Sequence, residues 1–185
     1  MKRKQAAWLL LAIQLVLVLS VAAKYAYERK VCPRVWVKAE QYDPNLPLRG
    51  RYLALQLAVD ACSLPRDKAR FYQGFNYASG GHAPGSWTWN VVLEAQGGHL
   101  VPRVVDPIKV PDGVEQLVLR EKRPCDSVAV LKGTNFYIPD TAKGPFPLPK
   151  GHVLWVEVTV PPSGPPRPIQ LALSSESGWQ PLKFD

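Results

Sequence analysis

The sequence predicts an all-β domain, a compact sandwich or barrel-like fold, behind a single N-terminal transmembrane helix. Three observations lead to this prediction. They are an uncharged apolar run near the N-terminus, 19 prolines that all lie at or after Pro33, and apolar residues that alternate with a period of two beyond it. Prolines at this density interrupt long helices, and the alternation is typical of strands with one buried face.

Residues 6–26 are predicted to cross a membrane. No charge occurs between Lys4 and Lys24, and about 20 apolar residues form a helix that spans a hydrocarbon core of roughly 30 Å. The basic residues before the run favour a cytoplasmic N-terminus, which predicts a single-pass protein of the cell membrane with an extracytoplasmic (periplasmic) domain. The predicted parts are a cytoplasmic tip at 1–5, the anchor at 6–26, a juxtamembrane linker at 27–33 and the exported β-rich domain at 34–185.

A cleaved secretory signal is the alternative for this segment, because the small residues of Ser20–Ala23 offer a cleavage site. The apolar run is longer than the usual ~7–15 residues of a signal peptide. In addition, Lys24, Arg29 and Lys30 follow it directly, as in a stop-transfer segment. We therefore favour an uncleaved anchor, and the rest of the chain is exported under either interpretation.

The basic character of the chain lies mostly beside the anchor. The chain has 23 Lys and Arg residues, 15 Asp and Glu residues and a net charge of +8. Six of those basic residues and one of the acidic residues fall within residues 1–30, which leaves 17 of the 23 and 14 of the 15 for the remainder. The exported part shows no basic stripe interleaved with aromatics. We therefore expect no nucleic-acid partner.

Three cysteines, Cys32, Cys62 and Cys125, are exported with the domain. In an oxidising compartment two of them are expected to pair. We predict a disulfide between Cys62, which follows a predicted strand, and Cys125, which lies in a turn-like segment. Cys32 is left with three alternatives, since it can pair with one of the other two, stay free or link to a partner.

The exported domain is predicted to consist of short strands. The pattern is clearest in Arg51–Asp60, where Leu53, Leu55, Leu57 and Val59 face one way. The Gly97-Gly98 dipeptide predicts a hairpin between two of the strands. The predicted strands are Arg34–Glu40, Arg51–Asp60, Trp87–Glu94, Leu100–Val105, Glu115–Glu121, Ser127–Leu131, Asn135–Ile138, Val153–Val160 and Ile169–Leu173.

One stretch of the chain has a recognisable motif. Between Asp43 and Leu57, an Asp-Pro turn leads to a glycine and then to a strand that begins with tyrosine, and Phe136–Asp140 has the sequence Phe-Tyr-Ile-Pro-Asp. With the anchor and two closing strands, this order resembles the GDYXXLXY proteins, a family of small membrane-anchored bacterial proteins of unestablished function. The resemblance covers most of residues 34–173. The motif positions are Asp43, Pro44, Gly50, Arg51, Tyr52, Leu55, Tyr137, Pro139 and Asp140.

The resemblance implies a fold and a topology rather than an activity. Gly50, Tyr52 and Leu55 match the motif, whereas the family's aspartate is Arg51 here and its last tyrosine is Leu57. Any role of that aspartate cannot be transferred to Arg51. Gly50 lets the chain turn into the strand, and Tyr52 can bury its ring while its hydroxyl meets a backbone carbonyl. We therefore favour a structural role for these residues over a binding role.

The exported domain contains no evident catalytic constellation. Its histidines, His82, His99 and His152, lie near glycines in predicted loops or strand starts, and no Gly-x-Ser-x-Gly elbow occurs. The residues before Pro44 lack the serine nucleophile of signal peptidases, and the histidine spacing matches no compact metal-ligand pattern. We expect neither a cofactor nor a metal site.

Aromatic residues are concentrated around the glycine-rich segment 80–85, at Phe71, Tyr72, Phe75, Tyr77, Trp87 and Trp89. Such density is sometimes an exposed surface for a protein or glycan and more often core packing. Trp87 and Trp89 are the candidates for an exposed surface.

These observations predict a membrane-tethered, non-enzymatic β-domain that interacts with another membrane or envelope protein. Two alternatives stay open. One is an envelope hydrolase of an unrecognised type, whose histidine or carboxylates come together only in the fold. The other is a carbohydrate-binding module that uses Trp87 or Trp89.

Overall fold

The chain forms two compact units, Met1–Cys32 and Pro33–Asp185. The computed structural model describes residues 3–41, 52–73, 75–76, 81–82, 84–106, 111–139, 141–142, 144–176 and 178–184.

The first unit is a single helix, α1 (Arg3–Val31). Its segment Ala7–Val31 is long and apolar enough to cross a membrane, with a mean hydropathy of 2.1. Near the end of the helix, Lys24 Nζ lies 3.8 Å from a carboxylate oxygen of Glu28, one turn further on. The predicted apolar helix is therefore present.

The helix extends beyond the predicted anchor, so that most of the predicted linker at 27–33 is helical. The Cys32 N–H still donates to the Glu28 carbonyl at 2.9 Å, which completes the last turn. The helix ends there because Pro33 follows, and the residue before a proline is disfavoured in the helical conformation.

The second unit is built from strands, which confirms the predicted all-β class. A short 3₁₀ turn at Arg66–Lys68 is its other regular element among the described residues. The described strands are β1 (Arg34–Gln41), β2 (Tyr52–Val59), β3 (Arg70–Tyr72), β4 (Phe75–Asn76), β5 (Gly81–His82), β6 (Ser86–Gln96), β7 (His99–Val104), β8 (Glu115–Arg120), β9 (Val128–Ala129), β10 (Thr134–Tyr137), β11 (Val153–Thr159), β12 (Arg167–Ser175) and β13 (Gly178–Pro181).

Two antiparallel sheets and a small ribbon organise these strands. Sheet A has seven strands in the order β10-β2-β1-β11-β12-β13, with β9 also paired to β2. Sheet B has four strands, in which β6 pairs with β3, β7 and β8. The ribbon consists of β4 and β5. The short strands β3, β4, β5 and β13 were not predicted.

The two sheets are joined along one side by the segment around Val130. The Val130 N–H donates to the Leu57 carbonyl of β2 at 2.8 Å, and the Leu131 N–H donates to the Gln116 carbonyl of β8 at 2.7 Å. Val130 also forms a bridge with Leu117. The fold is therefore a sandwich that is closed on one side, intermediate between the two predicted architectures.

The core contains the inward faces of both sheets. On β2, Leu55, Leu57 and Val59 are buried as the alternation predicts, and Leu53 is partly buried against them. From β6 of sheet B, Trp89, Val91 and Leu93 face this layer. Burying each such side chain contributes roughly 1.5–3 kcal/mol.

The predicted hairpin at Gly97-Gly98 is present between β6 and β7. Gln96 pairs with His99 across the turn. Gly97 and Gly98 have φ angles of 57° and 80°, the left-handed conformation that a two-residue hairpin turn requires and that glycine adopts without a steric penalty.

Candidate functional site

Three tryptophans meet on the outer face of sheet A. Trp36 lies on β1, Trp155 on β11 and Trp179 on β13. The neighbours of Trp36 and Trp155 along each strand are buried in the core. Since side chains alternate across a strand, the tryptophans point away from the core. We call Trp36, Trp155 and Trp179 the tryptophan face.

The rings of the tryptophan face pack on one another. The Trp179 centroid lies 5.0 Å from that of Trp36 and 5.4 Å from that of Trp155. The Trp155 indole N–H donates to the Ser174 hydroxyl at 2.9 Å. Ala172, the β12 partner of Trp155, is fully buried although it faces outward, which is the result expected if the rings cover it. The indole ring of Trp179 is 45% exposed and is the open part of the cluster.

A groove with a volume of about 470 Å³ adjoins the tryptophan face. Trp36, Trp155 and Lys38 are among its lining residues, and Lys38 Nζ lies 5.9 Å from the centroid of the Trp155 ring. Its other polar residues are Asp60 and Ser63 from the segment after β2, His99 at the start of β7, and Asp126 from the loop between β8 and β9.

A disulfide fixes the two aspartates of the groove. Cys62 and Cys125 are bonded, with sulfur atoms 2.05 Å apart, so the predicted pair is present in the structure. The Ala61 N–H donates to the Cys125 carbonyl at 2.8 Å. Asp60 lies just before this cross-link and Asp126 just after it, and Asp60 Oδ1 accepts the Cys62 N–H at 2.8 Å. Cys32 belongs to the helical unit and is a free thiol.

The histidines fall in three separate places. His99 is exposed in the groove, and no hydrogen bond joins it to Asp60 or Asp126 in the part of the chain that the structure describes. His152 Nδ1 lies 3.2 Å from the Lys150 carbonyl oxygen within a turn. His82 lies on β5, and its side chain is outside the described residues. Of the described residues, no three His, Cys, Asp or Glu side chains form a group that could hold a metal ion. In the described part of the chain, His99 therefore shares the groove with Asp60 and Asp126 without a hydrogen bond to either.

The predicted aromatic surface at Trp87 and Trp89 is corrected by their burial. Trp89 is 1% exposed, and its indole N–H donates to the Pro65 carbonyl at 2.9 Å. It faces the core because sheet A covers this face of sheet B, so it cannot contact a ligand in the folded domain. Trp87 is partly buried, with its ring 5.1 Å from that of Phe71 and 5.0 Å from the Arg66 guanidinium.

The described motif residues divide between core and surface. Leu55 is fully buried, in agreement with a structural role, and Pro139 is exposed. Tyr52 pairs with Tyr137 across β2 and β10, with ring centroids 6.2 Å apart. Tyr137 is 77% exposed, so its ring is not a core element. The remaining motif positions, Asp43, Pro44, Gly50, Arg51 and Asp140, lie outside the described residues.

One carboxyl group is buried on the core side of sheet B. Glu115 pairs with Val91 in register and is 5% exposed. Its Oε2 has no hydrogen-bond partner among the residues the structure describes. Burial raises the pKa of Glu115 above its usual value, and the positive charge of Lys132 opposes this in part. A cavity of about 400 Å³ adjoins this carboxyl group.

No family model, curated protein or solved structure matches this chain. The similarity to the GDYXXLXY proteins therefore stays a prediction from the motif residues.

The tryptophan face and the groove were not predicted from the sequence. The alternation around Val35, Trp36 and Val37 does assign Trp36 to the face opposite its neighbours. It does not show that Trp155 and Trp179 lie beside it, because that depends on the order of the strands in sheet A.

Proposed function

We propose that this protein is a membrane-tethered, extracytoplasmic binding domain that contacts another membrane or envelope protein through the tryptophan face. The observation that supports the proposal most is the exposed indole ring of Trp179, which is held by contacts with Trp36 and Trp155. Tryptophan is enriched among the residues that dominate the energy of protein interfaces.

The tether supports a partner at the membrane. The apolar helix Ala7–Val31 can hold the domain at a bilayer, and the basic residues at the N-terminus favour a cytoplasmic start of the chain. A domain confined to the membrane surface meets membrane and envelope proteins at a high effective concentration, so that a modest surface is sufficient for binding.

The tryptophan face is also suited to binding because its geometry is fixed before a partner arrives. Two ring contacts orient Trp179, and the hydrogen bond to Ser174 orients Trp155. A side chain that is already ordered loses less conformational entropy when it binds, and each mobile side chain costs about 0.5–1.5 kcal/mol to immobilise. Lys38, which lies over the Trp155 ring, adds a positive charge beside the apolar surface.

The test is crosslinking in intact membranes, followed by solubilisation in mild detergent and capture of the full chain. We compare the wild type with Trp179→Ala. The matched control is Tyr72→Ala, because Tyr72 is a comparably exposed aromatic residue on the edge strand of sheet B.

The expected result is one defined crosslinked partner with the wild type and Tyr72→Ala, and its loss with Trp179→Ala. Recovery of a lone monomer from the wild type would contradict the proposal. A partner that is retained by Trp179→Ala would show that binding uses another surface.

A further inference from the structure

We propose that the groove beside the disulfide binds an uncharged saccharide. Its volume of about 470 Å³ lies within the usual range of ligand pockets, about 300–1,000 Å³. This proposal goes beyond the protein-binding function, because it concerns a small ligand and uses Asp60, His99 and Asp126, which do not belong to the tryptophan face.

The tryptophans of the groove fit the C–H surface of a sugar ring. Trp36 and Trp155 both line the groove, and both rings are held in place by their contacts with Trp179. Indole rings offer a large, rigid, apolar surface with a polar N–H at one end. The Trp155 N–H is already bonded to Ser174, so that ring contributes its apolar surface to the groove.

The polar residues of the groove fit hydroxyl groups. A sugar hydroxyl donates one hydrogen bond and accepts others, so its site needs acceptors and donors. The carboxylates of Asp60 and Asp126 are acceptors, the Lys38 ammonium is a donor, and the His99 imidazole offers a ring N–H as a further donor. Hydrogen bonds to charged groups are stronger than those between neutral groups.

The two aspartates are held in position by the covalent frame. The disulfide closes a loop between residues 63 positions apart in the sequence, and it lies within two residues of both carboxylates. Asp60 uses Oδ1 to accept the Cys62 N–H at 2.8 Å, which orients its other oxygen for a ligand. Groups that are fixed before binding lose little entropy on contact with the ligand.

The charges of the groove are mixed. Asp60 and Asp126 oppose an anion, and Lys38 offsets part of their attraction for a cation. A metal ion is not the better occupant, since among the described residues no group of three His, Cys, Asp or Glu side chains could ligate one. A polyhydroxyl compound uses both signs of charge through its hydrogen bonds.

The experiment is calorimetric titration of the full chain with soluble oligosaccharides of glucose, galactose and N-acetylglucosamine. The detergent must have no sugar headgroup, because such a headgroup would compete for the groove. The test variants are Asp126→Asn and His99→Ala, of which the second leaves the surroundings of the disulfide intact. The matched control is Asp112→Asn, since Asp112 is an exposed aspartate outside the groove.

The expected result is binding of at least one of these sugars, about tenfold weaker in each test variant because a hydrogen bond to a charged or polar group is lost. Affinity should be unchanged in Asp112→Asn. Absence of binding at millimolar sugar would overturn the proposal, as would equal affinity in all four proteins. Capture of the protein partner is expected to survive Asp126→Asn, so failure of one proposal is distinguishable from failure of the other.

Discussion

Trp89 and Trp179 show how differently one kind of side chain is used on the inner and outer faces of this sandwich. Trp89 is 1% exposed, and its indole N–H donates to the backbone carbonyl of Pro65. Trp179 is 45% exposed and packs on the rings of Trp36 and Trp155. The inner ring is part of what holds the two sheets together, whereas the outer ring is free to bury more surface on binding.

Carboxyl groups show the same contrast. Glu115 lies on the core side of β8, opposite Val91 and almost without exposure. Asp126 is exposed in the groove beside the disulfide. A buried carboxyl group loses its hydration and is a cost to folding, while an exposed one keeps its hydration until a ligand replaces it. In both comparisons the buried group affects the stability of the fold, and the exposed group is available to a ligand.

The largest effect is expected when the inner tryptophan is removed. Trp89→Ala leaves a cavity between the sheets and should lower the free energy of unfolding by about 3–5 kcal/mol, as large-to-small changes of buried aromatics do. Trp179→Ala removes ring contacts at the surface and should cost about 0.5–1.5 kcal/mol. Urea unfolding of the full chain in detergent, followed by near-ultraviolet circular dichroism, measures both.

Equal losses in the two variants would break this comparison, because they would mean that Trp179 is as important to the fold as Trp89. Tyr72→Ala again provides the control for an exposed aromatic residue on an edge strand. It should change the free energy of unfolding by less than about 1 kcal/mol.

The layers of the sandwich could be predicted because period-two alternation is a local property of each strand. It correctly assigned Leu55, Leu57 and Val59 to one buried face. It also predicted that Trp89 shares a face with Val91, but not whether that face is inside. The prediction of an exposed surface was wrong for Trp89, because sheet A covers that face of sheet B.

The candidate site could not be predicted because it depends on pairings between distant parts of the chain. Trp179 belongs to β13, a four-residue strand that includes glycine and proline and shows no period. It reaches Trp36 only because β1, β11, β12 and β13 are neighbours in sheet A. The groove is an intermediate case, since the predicted Cys62–Cys125 pair already implies that Asp60 and Asp126 are close.

A smaller effect, dependent on pH, is expected at the buried carboxyl group. Because burial raises the pKa of Glu115 from its ordinary value of 4.5, the folded state holds this proton more tightly than the unfolded chain. That stabilisation is complete below pH 4.5 and is lost as the pH rises through the folded-state pKa. Glu115→Gln should therefore raise the free energy of unfolding at pH 8 by about 1 kcal/mol, the lower end of the cost of an unpartnered buried group.

Measuring the free energy of unfolding at pH 4 and pH 8 tests whether Glu115→Gln is stabilising. At pH 4 the wild type is already protonated at Glu115, and the substitution should have little effect. The matched control is Glu176→Gln, since Glu176 is exposed and should show no difference between the two pH values. A destabilised Glu115→Gln at pH 8 would mean that the attraction of Lys132 for the carboxylate outweighs the cost of burial.

The smallest effect is expected at the hydrogen bond of the outer face. Ser174→Ala removes the acceptor of the Trp155 N–H and should cost about 0.5–1 kcal/mol, because water can replace a hydroxyl at a partly exposed site. Solvent exchange of the indole protons, followed by nuclear magnetic resonance, should become faster for Trp155 and stay unchanged for Trp89. Ser163→Ala, in an exposed turn, is the control.

The same variant separates two explanations of the order in the tryptophan face. If the ring contacts with Trp36 and Trp179 alone orient Trp155, capture of the protein partner should be unchanged in Ser174→Ala, although the freed N–H exchanges faster. If the hydrogen bond orients the ring, the loss of the hydroxyl should also weaken capture of the protein partner, although Ser174 itself need not touch that partner. The Trp89 N–H cannot respond in this way, because its acceptor is the backbone carbonyl of Pro65, which no side-chain substitution removes. Trp155 can therefore be loosened through one side chain, whereas Trp89 cannot.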